Sequence, residues 1–106
     1  MQPKPKIANL LDAVKEAINN GRYIVSRHAW KRSFDREISL PDIKHVLFTG
    51  HHESKKDQWS TEFKTWKYSI KGKTFNKVNA RVVIAIDDTG DELLIIITVI
   101  NLDKGN

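Results

Sequence analysis

The chain has 106 residues, of which 40% are hydrophobic and 29% are charged, and its net charge is +5 at pH 7. A chain of this length and composition folds as one compact domain, here residues 1–106, and is too apolar for wholesale disorder. It has no cysteine, which excludes disulfides, thiolate metal sites and a cysteine nucleophile.

A first helix is predicted near the N-terminus. Apolar residues recur at helical spacing from Ile7 to Ile18, which predicts a helix over about residues 6–20. Gly21 follows two asparagines and suits the left-handed conformation that ends many helices. Residues 23–25 are aromatic or β-branched and predict a short extended link.

Two further helices are predicted from their capping residues. Ser26 is a candidate N-cap for a helix over about residues 27–36. Ser39 is a stronger candidate, because Asp42 stands at the third helical position, where a carboxylate complements the helix dipole. Gly50 is predicted to end this third helix.

The spacing of apolar residues changes from helical to alternating in the second half of the chain. Residues 66–71 and 78–86 alternate and predict half-buried strands, whereas residues 93–100 are apolar on both faces and predict a central strand. A hairpin turn is predicted over residues 87–91, and the polar residues 51–57 predict a weak edge strand. The order of elements indicates an α+β fold, with N-terminal helices packed on an antiparallel sheet of three to four strands.

No stretch of the sequence predicts a membrane span or a secretion signal. The longest apolar run, Leu93 to Ile100, is far too short to span a membrane. The first residues lack the apolar stretch of a secretion signal, so we expect a cytoplasmic protein without membrane contact. Residues 1–5 and 102–106 are predicted to be flexible tails.

The positive charge is concentrated in two parts of the chain. Residues 1–36 carry eight Lys and Arg against three acidic residues, and residues 63–83 carry six against none. If the fold brings these two parts onto one face, that face can neutralise several phosphates of a nucleic acid. The alternative interpretation is a set of solvated lysines on helix and strand surfaces.

The second predicted helix contains the most informative cluster of residues. His28, Arg32 and Arg36 are four residues apart and form one stripe, nearly opposite Trp30 and Phe34. We expect the two aromatic residues to anchor the helix to the core while the stripe faces outward. Histidine transfers protons near neutral pH and arginine donates hydrogen bonds to phosphate oxygens, so the stripe suits phosphate chemistry. The alternative is a solvated basic helix face.

The same stretch carries a resemblance to a known family. The run from Tyr23 to Ala29, followed by Arg32, Arg36, Ile38-Ser39 and Gly50, resembles the pattern of the domain-of-unknown-function 4258 family. Thr98, on an apolar strand, resembles that family's closing Thr-Val. The family is in turn similar to the RelE- and MqsR-like toxins of the barnase–EndoU–colicin–RelE superfamily.

The resemblance implies a function and a set of site residues. Toxins of this kind are small α+β endoribonucleases that need no metal or other cofactor, and many are paired with an antitoxin protein. RNA and a cognate antitoxin are therefore the expected partners, and the fold implied is helices on a four-stranded antiparallel sheet. The positions that match the family's motif are His28, Arg32, Arg36 and Thr98.

A metal-free ribonuclease must activate the 2′-hydroxyl, stabilise the phosphorane and protonate the leaving 5′-oxygen. We expect His28 to act as base or acid and Arg32 and Arg36 to hold the phosphorane charge. Tyr68 is the expected second proton carrier. The residues expected to bind flanking phosphates are Arg27, Lys31, Lys67, Lys71, Lys73, Lys77 and Arg81.

Three other functions stay open at this stage. A non-catalytic nucleic-acid-binding module shares the basic residues but does not need His28. A protein-interaction domain would pair an apolar or edge strand with a partner chain. A metal enzyme would draw on His45, His51 and His52, but adjacent histidines on a strand point to opposite faces and no zinc-ligand spacing is present, so no metal site is predicted.

Overall fold

Helices dominate the first half of the chain and long strands the second half, as expected for the predicted α+β fold. The computed structural model describes residues 3–87 and 92–104, which contain three helices and six strands. The helices are α1 (Leu10–Asn19), α2 (Arg27–Arg36) and α3 (Leu40–Thr49). The strands are β1 (Tyr23–Val25), β2 (His51–His52), β3 (Gln58–Ser60), β4 (Thr65–Lys73), β5 (Asn79–Asp87) and β6 (Leu93–Asn101), and single 3-10 turns lie at Ser54–Lys56 and Leu102–Lys104.

The starts of α2 and α3 are set by the predicted capping residues. The Ser26 hydroxyl accepts a hydrogen bond from the backbone N–H of Ala29 at 3.0 Å. At α3, the Ser39 hydroxyl accepts from the Asp42 N–H at 3.3 Å, and the Asp42 carboxylate accepts from the Ser39 N–H at 3.2 Å. This reciprocal pair is a capping box, which satisfies two otherwise unpaired donors. Both predicted helix starts are confirmed.

The first helix is shorter than predicted because residues 3–9 run along β4 instead. Asn9 has a positive φ of 55° and separates this segment from α1. The Ile7 N–H donates to the Tyr68 hydroxyl at 2.9 Å, and the Lys4 carbonyl accepts from the Trp66 indole N–H at 2.7 Å. We call residues 3–9 the N-terminal strap. The predicted flexible ends are thus attached to the fold over their described parts, and at the C-terminus residues 102–104 form a 3-10 turn.

The sheet is larger than the three to four strands predicted. Its strand order is β1-β6-β5-β4-β2, and β3 pairs with β4 at a second position. All pairs are antiparallel except β1 with β6, which are parallel. The additional strands have only two or three residues each, too few to show an alternating pattern. Of the predicted hairpin turn, residues 88–91 lie outside the described residues.

The sheet has one covered face and one face that no helix of the described residues covers. The covered face carries apolar side chains of β4, β5 and β6 that form the core with α1 and α3, and they include Tyr68, Ile70, Val82, Ile84, Leu94, Ile96 and Val99. We call the other face the open face. Its residues, paired across the strands, include Lys71 with Arg81, Ser69 with Val83, and Thr98 beyond Val83. No described helix is long and apolar enough to cross a membrane.

Candidate nucleic-acid interface

Helix α2 lies along the outer edge of β6, where β1 stops. The Ser26 hydroxyl donates to the Ile97 carbonyl at 2.8 Å, which attaches the start of α2 to the middle of β6. At the other end, the side-chain amide of Asn101 donates to the Arg36 carbonyl at 3.3 Å. The helix therefore runs beside the second half of β6.

The buried side of α2 is not the predicted one. Ala29 is 0% exposed and Ser33 is buried, whereas Trp30 and Phe34 are 46% and 84% exposed. The expectation that the two aromatic residues anchor the helix to the core is therefore wrong. A helix packed against a strand edge approaches the backbone closely, and small residues allow that approach. The Ser33 hydroxyl also donates to the Ile38 carbonyl, so its polar group is satisfied.

The predicted stripe of His28, Arg32 and Arg36 lies on the flank of α2 away from the aromatic residues. At about 100° per residue, Arg36 points about 20° from Ala29, Arg32 about 60° and His28 about 100°, while Trp30 points about 100° the other way. Trp30 borders the start of α3 on the helical side of the sheet. The opposite flank carries exposed His28 and half-buried Arg32, and we expect it to face the open side of the sheet.

The C-terminal residue of the stripe, Arg36, lies at the interface between α2 and β6. Arg36 is half-buried, and its Nε atom is buried with no hydrogen-bond partner among the described residues. A guanidinium placed in this way is less free to bind a ligand than that of Arg32, because part of it is withdrawn from solvent. We therefore expect Arg32 to contact an anion directly and Arg36 to support its charge.

A groove of about 590 Å³ runs across the open face. Its base is formed by Val83, Thr98 and neighbouring aliphatic side chains of β6. Lysines border it on the β4 side, namely Lys55, Lys56 and Lys67. The groove therefore combines an apolar base with a cationic border, an arrangement that suits a chain of phosphates and sugars.

A β-bulge brings Thr98 into this groove. Ile84 pairs with Ile96, whereas the preceding Val83 pairs with Thr98, so Ile97 is an extra residue in β6. In a regular strand Thr98 would share the covered face with Ile96, because side chains alternate. The extra residue reverses the alternation and places both Ile97 and Thr98 along the groove.

Arg81 lines the groove but is paired with an acidic side chain. Its Nε and Nη2 atoms donate to the two carboxylate oxygens of Glu53 at 2.6 and 3.3 Å. The hydrogen bond from Arg81 lowers the pKa of the Glu53 carboxyl below its ordinary value, against the opposing effect of burial. The prediction that Arg81 binds phosphates is thus modified, since its charge is largely balanced within the protein.

Asp57 lies at the edge of the groove and holds the segment that carries Lys55 and Lys56. Its side chain is 0% exposed. The carboxylate lies 2.8 Å from His52 Nε2 and 3.1 Å from Lys6 Nζ, and it accepts from the Ser69 N–H at 3.3 Å. These contacts give Asp57 a positioning role. Within residues 3–87 and 92–104, no three His, Asp or Glu side chains converge on a point that could hold a metal ion.

Tyr68 is on the wrong face for its predicted role as proton carrier. It is 1% exposed in the core, and its hydroxyl accepts the Ile7 N–H. Burial raises the pKa of this phenol. Strand alternation explains the placement, because Lys67 and Ser69 on either side of Tyr68 point to the open face. A substrate in the groove therefore has no access to Tyr68.

The remaining predicted phosphate-binding residues are spread over several surfaces. Lys71 and Lys73 border a separate hollow of about 360 Å³ at the β2 end of the sheet. Lys77 is exposed in the turn between β4 and β5. Arg27 and Lys31 are exposed on the outward side of α2. Of the predicted set, only Lys67 and Arg81 line the groove itself.

Sequence reasoning missed Lys55 and Lys56. The expected edge strand over residues 51–57 is in fact the two-residue β2 followed by a 3-10 turn, and this turn places both lysines beside the groove. The stretch contains no apolar residue. The absence of apolar residues argues against a strand with one buried face, and it is the sequence signal that distinguishes this turn from an edge strand.

Comparison with known proteins places this fold in a family. The profile described as "Domain of unknown function (DUF4258)" matches residues 25–101, from β1 to the end of β6. Among curated proteins, none matches the sequence. The matched region contains α2, the groove strands and the bulge at Ile97. The chain therefore belongs to the DUF4258 family of domains of unknown function.

Proposed function

We propose that the protein is a metal-independent endoribonuclease that binds RNA in the open-face groove. The observation that carries this proposal is the lysine-lined groove on the open face, whose β6 side lies next to the strand that α2 packs against. We expect the flank of α2 that carries His28 and Arg32 to face this side of the groove. The resemblance to RelE- and MqsR-like toxins supports the same interpretation. It adds the proposal that the enzyme acts as a toxin and has a cognate antitoxin protein as partner.

Binding follows from the charge and shape of the groove. Lys55, Lys56 and Lys67 neutralise successive phosphates along the β4 border. The aliphatic base, which includes Val83, contacts sugars and base faces without selecting a sequence. The Thr98 hydroxyl supplies a hydrogen bond near the middle of the groove.

Cleavage requires two proton transfers at one phosphate. His28 takes the proton from the 2′-hydroxyl, whose oxygen attacks the phosphorus, and the bond to the 5′-oxygen breaks. Arg32 stabilises the added charge of the phosphorane, with support from Arg36. Because Tyr68 is in the core, the proton for the leaving 5′-oxygen comes from an open-face cation, and Lys67 is the candidate. The products are a 2′,3′-cyclic phosphate and a 5′-hydroxyl.

The first test measures binding to a fluorescently labelled 12-nucleotide RNA. We expect Lys55→Glu/Lys56→Glu to weaken binding at least about 10-fold and to reduce the slope of log affinity against log salt by about 1.4, the value for two lost phosphate contacts on a single strand. The matched control is Lys64→Glu/Lys104→Glu, which makes the same charge change at exposed residues outside the groove. Equal losses in both variants would contradict binding in the groove.

The second part of the test separates catalysis from binding. Purified protein in EDTA is incubated with the RNA and with a copy that has 2′-deoxyribose at the cleaved position. We expect a cyclic-phosphate product from the RNA only, and a loss of at least about 100-fold in His28→Ala and Arg32→Ala. RNA that is bound by the wild type but stays intact would instead identify a non-catalytic RNA-binding module. Growth arrest on expression of wild type, but not His28→Ala, would support the toxin role.

A further inference from the structure

The open face carries a second hollow, at the end of the sheet where β2 lies. Its volume is about 360 Å³, and the residues that line it include His51, Lys71, Lys73 and Asn79. Lys71 is paired with His51 of β2 and with Arg81 of β5, and directly paired residues of antiparallel strands point to the same face. Since Arg81 lines the open-face groove, the hollow lies on the same face as the groove. We call it the β2-end hollow.

The β2-end hollow continues the open-face groove along β4. Lys67 lines the groove and Lys71 and Lys73 line the hollow, so lysines follow one face of this strand. At about 3.4 Å per residue, Lys67 and Lys73 are about 20 Å apart. Arg81 of the groove and Lys71 of the hollow are cross-strand neighbours, with Cβ atoms about 5 Å apart. An RNA strand that leaves the groove on this side therefore reaches the hollow next.

The charge of the β2-end hollow is positive. Two cations, Lys71 and Lys73, are among the residues that line it, and no acidic residue is among them. Two carboxylates lie close enough to act on these lysines, namely those of Glu53 and Asp103. Glu53 is paired with Arg81. When Arg81 is included, three cations stand against two carboxylates, so the surroundings of the hollow favour an anionic ligand.

The β2-end hollow also offers a backbone hydrogen-bond donor. The backbone of Ser69 points toward β2, because its carbonyl accepts from the Glu53 N–H at 2.8 Å. Backbone direction alternates along a strand, so the Lys73 N–H points to the same side of β4. The pairing of β2 with β4 begins at His51 and Lys71, and no described strand pairs with this side of β4 beyond them. The Lys73 N–H is therefore available to a phosphate oxygen, together with the ammonium groups.

We propose that the β2-end hollow binds a phosphate of the same RNA strand whose cleaved phosphate lies in the open-face groove, an inference that rests on the proposed function. Lys71 and Lys73 neutralise this phosphate, and the exposed ring of His51 donates a further hydrogen bond. The substrate is therefore an RNA strand that extends beyond the groove along β4. An oligonucleotide that covers only the groove lacks these contacts and binds more weakly.

Two other anionic occupants are less favoured than the RNA strand. A free phosphate compound would fill the β2-end hollow without using the groove, and an acidic segment of another protein would place carboxylates on the same lysines. RNA is favoured because the hollow and the groove lie on one face and meet at Lys71 and Arg81, so that one chain of phosphates reaches both. Both other occupants are outcomes of the test.

The test compares a 4-nucleotide and a 12-nucleotide oligouridylate, both with 2′-O-methyl groups so that neither can be cleaved. We expect Lys71→Ala/Lys73→Ala to weaken binding of the longer RNA at least about 5-fold and to reduce the slope of log affinity against log salt by about 1.4, the value for two lost phosphate contacts. Binding of the shorter RNA should stay as in the wild type. In NMR titrations of the wild type, the ring signals of His51 should shift with the longer RNA and not with the shorter one.

The matched control is Lys15→Ala/Lys64→Ala, which removes one half-buried and one exposed lysine, as the hollow variant does, at residues that line neither site. This control should bind both RNAs as the wild type does. The proposal is overturned if the hollow variant loses affinity equally for both lengths or for neither, or if the His51 signals do not shift. It is also overturned if pyrophosphate or a 12-residue polyglutamate peptide shifts these signals at a lower concentration than the longer RNA does.

The same measurements separate failure of the hollow from failure of the groove. If the wild type binds neither RNA, the proposed function is wrong and the inference about the β2-end hollow is wrong with it. If the wild type binds both RNAs and Lys71→Ala/Lys73→Ala binds them equally well, only the inference about the hollow is wrong.

Discussion

At the scale of single residues, the ion pair between Glu53 and Arg81 is the interaction beside the groove with a defined pH dependence. Both side chains are half-buried, and Arg81 lowers the pKa of the Glu53 carboxyl below its ordinary value of 4.5. A carboxyl with a lowered pKa in the folded state stabilises the fold above the unfolded-state pKa. That stabilisation is lost as the pH falls through the folded-state pKa.

We therefore expect Glu53→Gln to lower the free energy of unfolding by about 1 kcal/mol at pH 7, the typical contribution of such a hydrogen bond. The difference from wild type should shrink steadily below about pH 4.5, because the unfolded-state carboxyl takes up a proton there whereas the folded-state carboxyl does so only at lower pH. Urea unfolding at pH 7, 5 and 3.5 measures both values. Glu62→Gln, at an exposed residue that pairs with no described cation, is the control and should show neither effect. A difference that stays constant over this range would refute the assignment.

At the scale of elements, two glycines that follow helices are required for different reasons. Gly50, after α3, is required for space, and Gly21, after α1, is required for its backbone conformation. Gly50 has an ordinary extended backbone, but a Cβ there would lie 2.5 Å from the Lys71 carbonyl oxygen and 2.6 Å from that of Val46. Gly21, after α1, has a φ of +70° and open space around it. The first glycine allows α3 to end directly on β4, and the second permits a left-handed turn.

We expect Gly50→Ala to destabilise the protein by about 2 kcal/mol, the usual cost of overpacking, because backbone atoms must move. Gly21→Ala should cost about 1 kcal/mol, since only the left-handed conformation is strained. Denaturant unfolding of both variants measures the two values. If Gly50→Ala were as stable as wild type, the close contact between α3 and β4 would be wrong.

At the scale of the whole molecule, Asp57 joins segments that are far apart in the sequence. Its buried carboxylate contacts Lys6 of the N-terminal strap, His52 of β2 and the backbone of Ser69 in β4. The Asp57 carboxylate therefore connects the N-terminal strap and the edge of the sheet to the turn that carries Lys55 and Lys56. Loss of that anion should loosen all three together.

Replacing Asp57 with Asn removes the charge while retaining the shape. We expect a loss of about 2 kcal/mol in stability, because Lys6 and the His52 ring lose an ionised hydrogen-bond partner. Hydrogen exchange should accelerate in residues 3–9 and 54–60, and RNA affinity should fall because Lys55 and Lys56 are no longer held. Asp35→Asn, at an exposed residue of α2, is the control. Unchanged exchange in residues 3–9 would show that the strap is held by other contacts.

Local signals were enough to predict α2, α3 and the long strands. Ser26 and Ser39 cap the helices within three residues of themselves, and the alternation in β4 and β5 is visible within each strand. The same local patterns predicted that His28 and Trp30 lie on opposite flanks of α2. They also imply that Tyr68 and Lys67 lie on opposite faces of β4.

What these patterns leave open is which side is buried, and only the tertiary structure decided that. Ala29, and not Trp30, faces the protein because α2 packs against the edge of β6, a strand about 70 residues later in the chain. Tyr68 is buried because the helices cover its face of the sheet, and Thr98 reaches the groove only through the bulge at Ile97. Periodicity is a property of one segment, whereas burial depends on the segments that pack against it, and these lie far away in sequence.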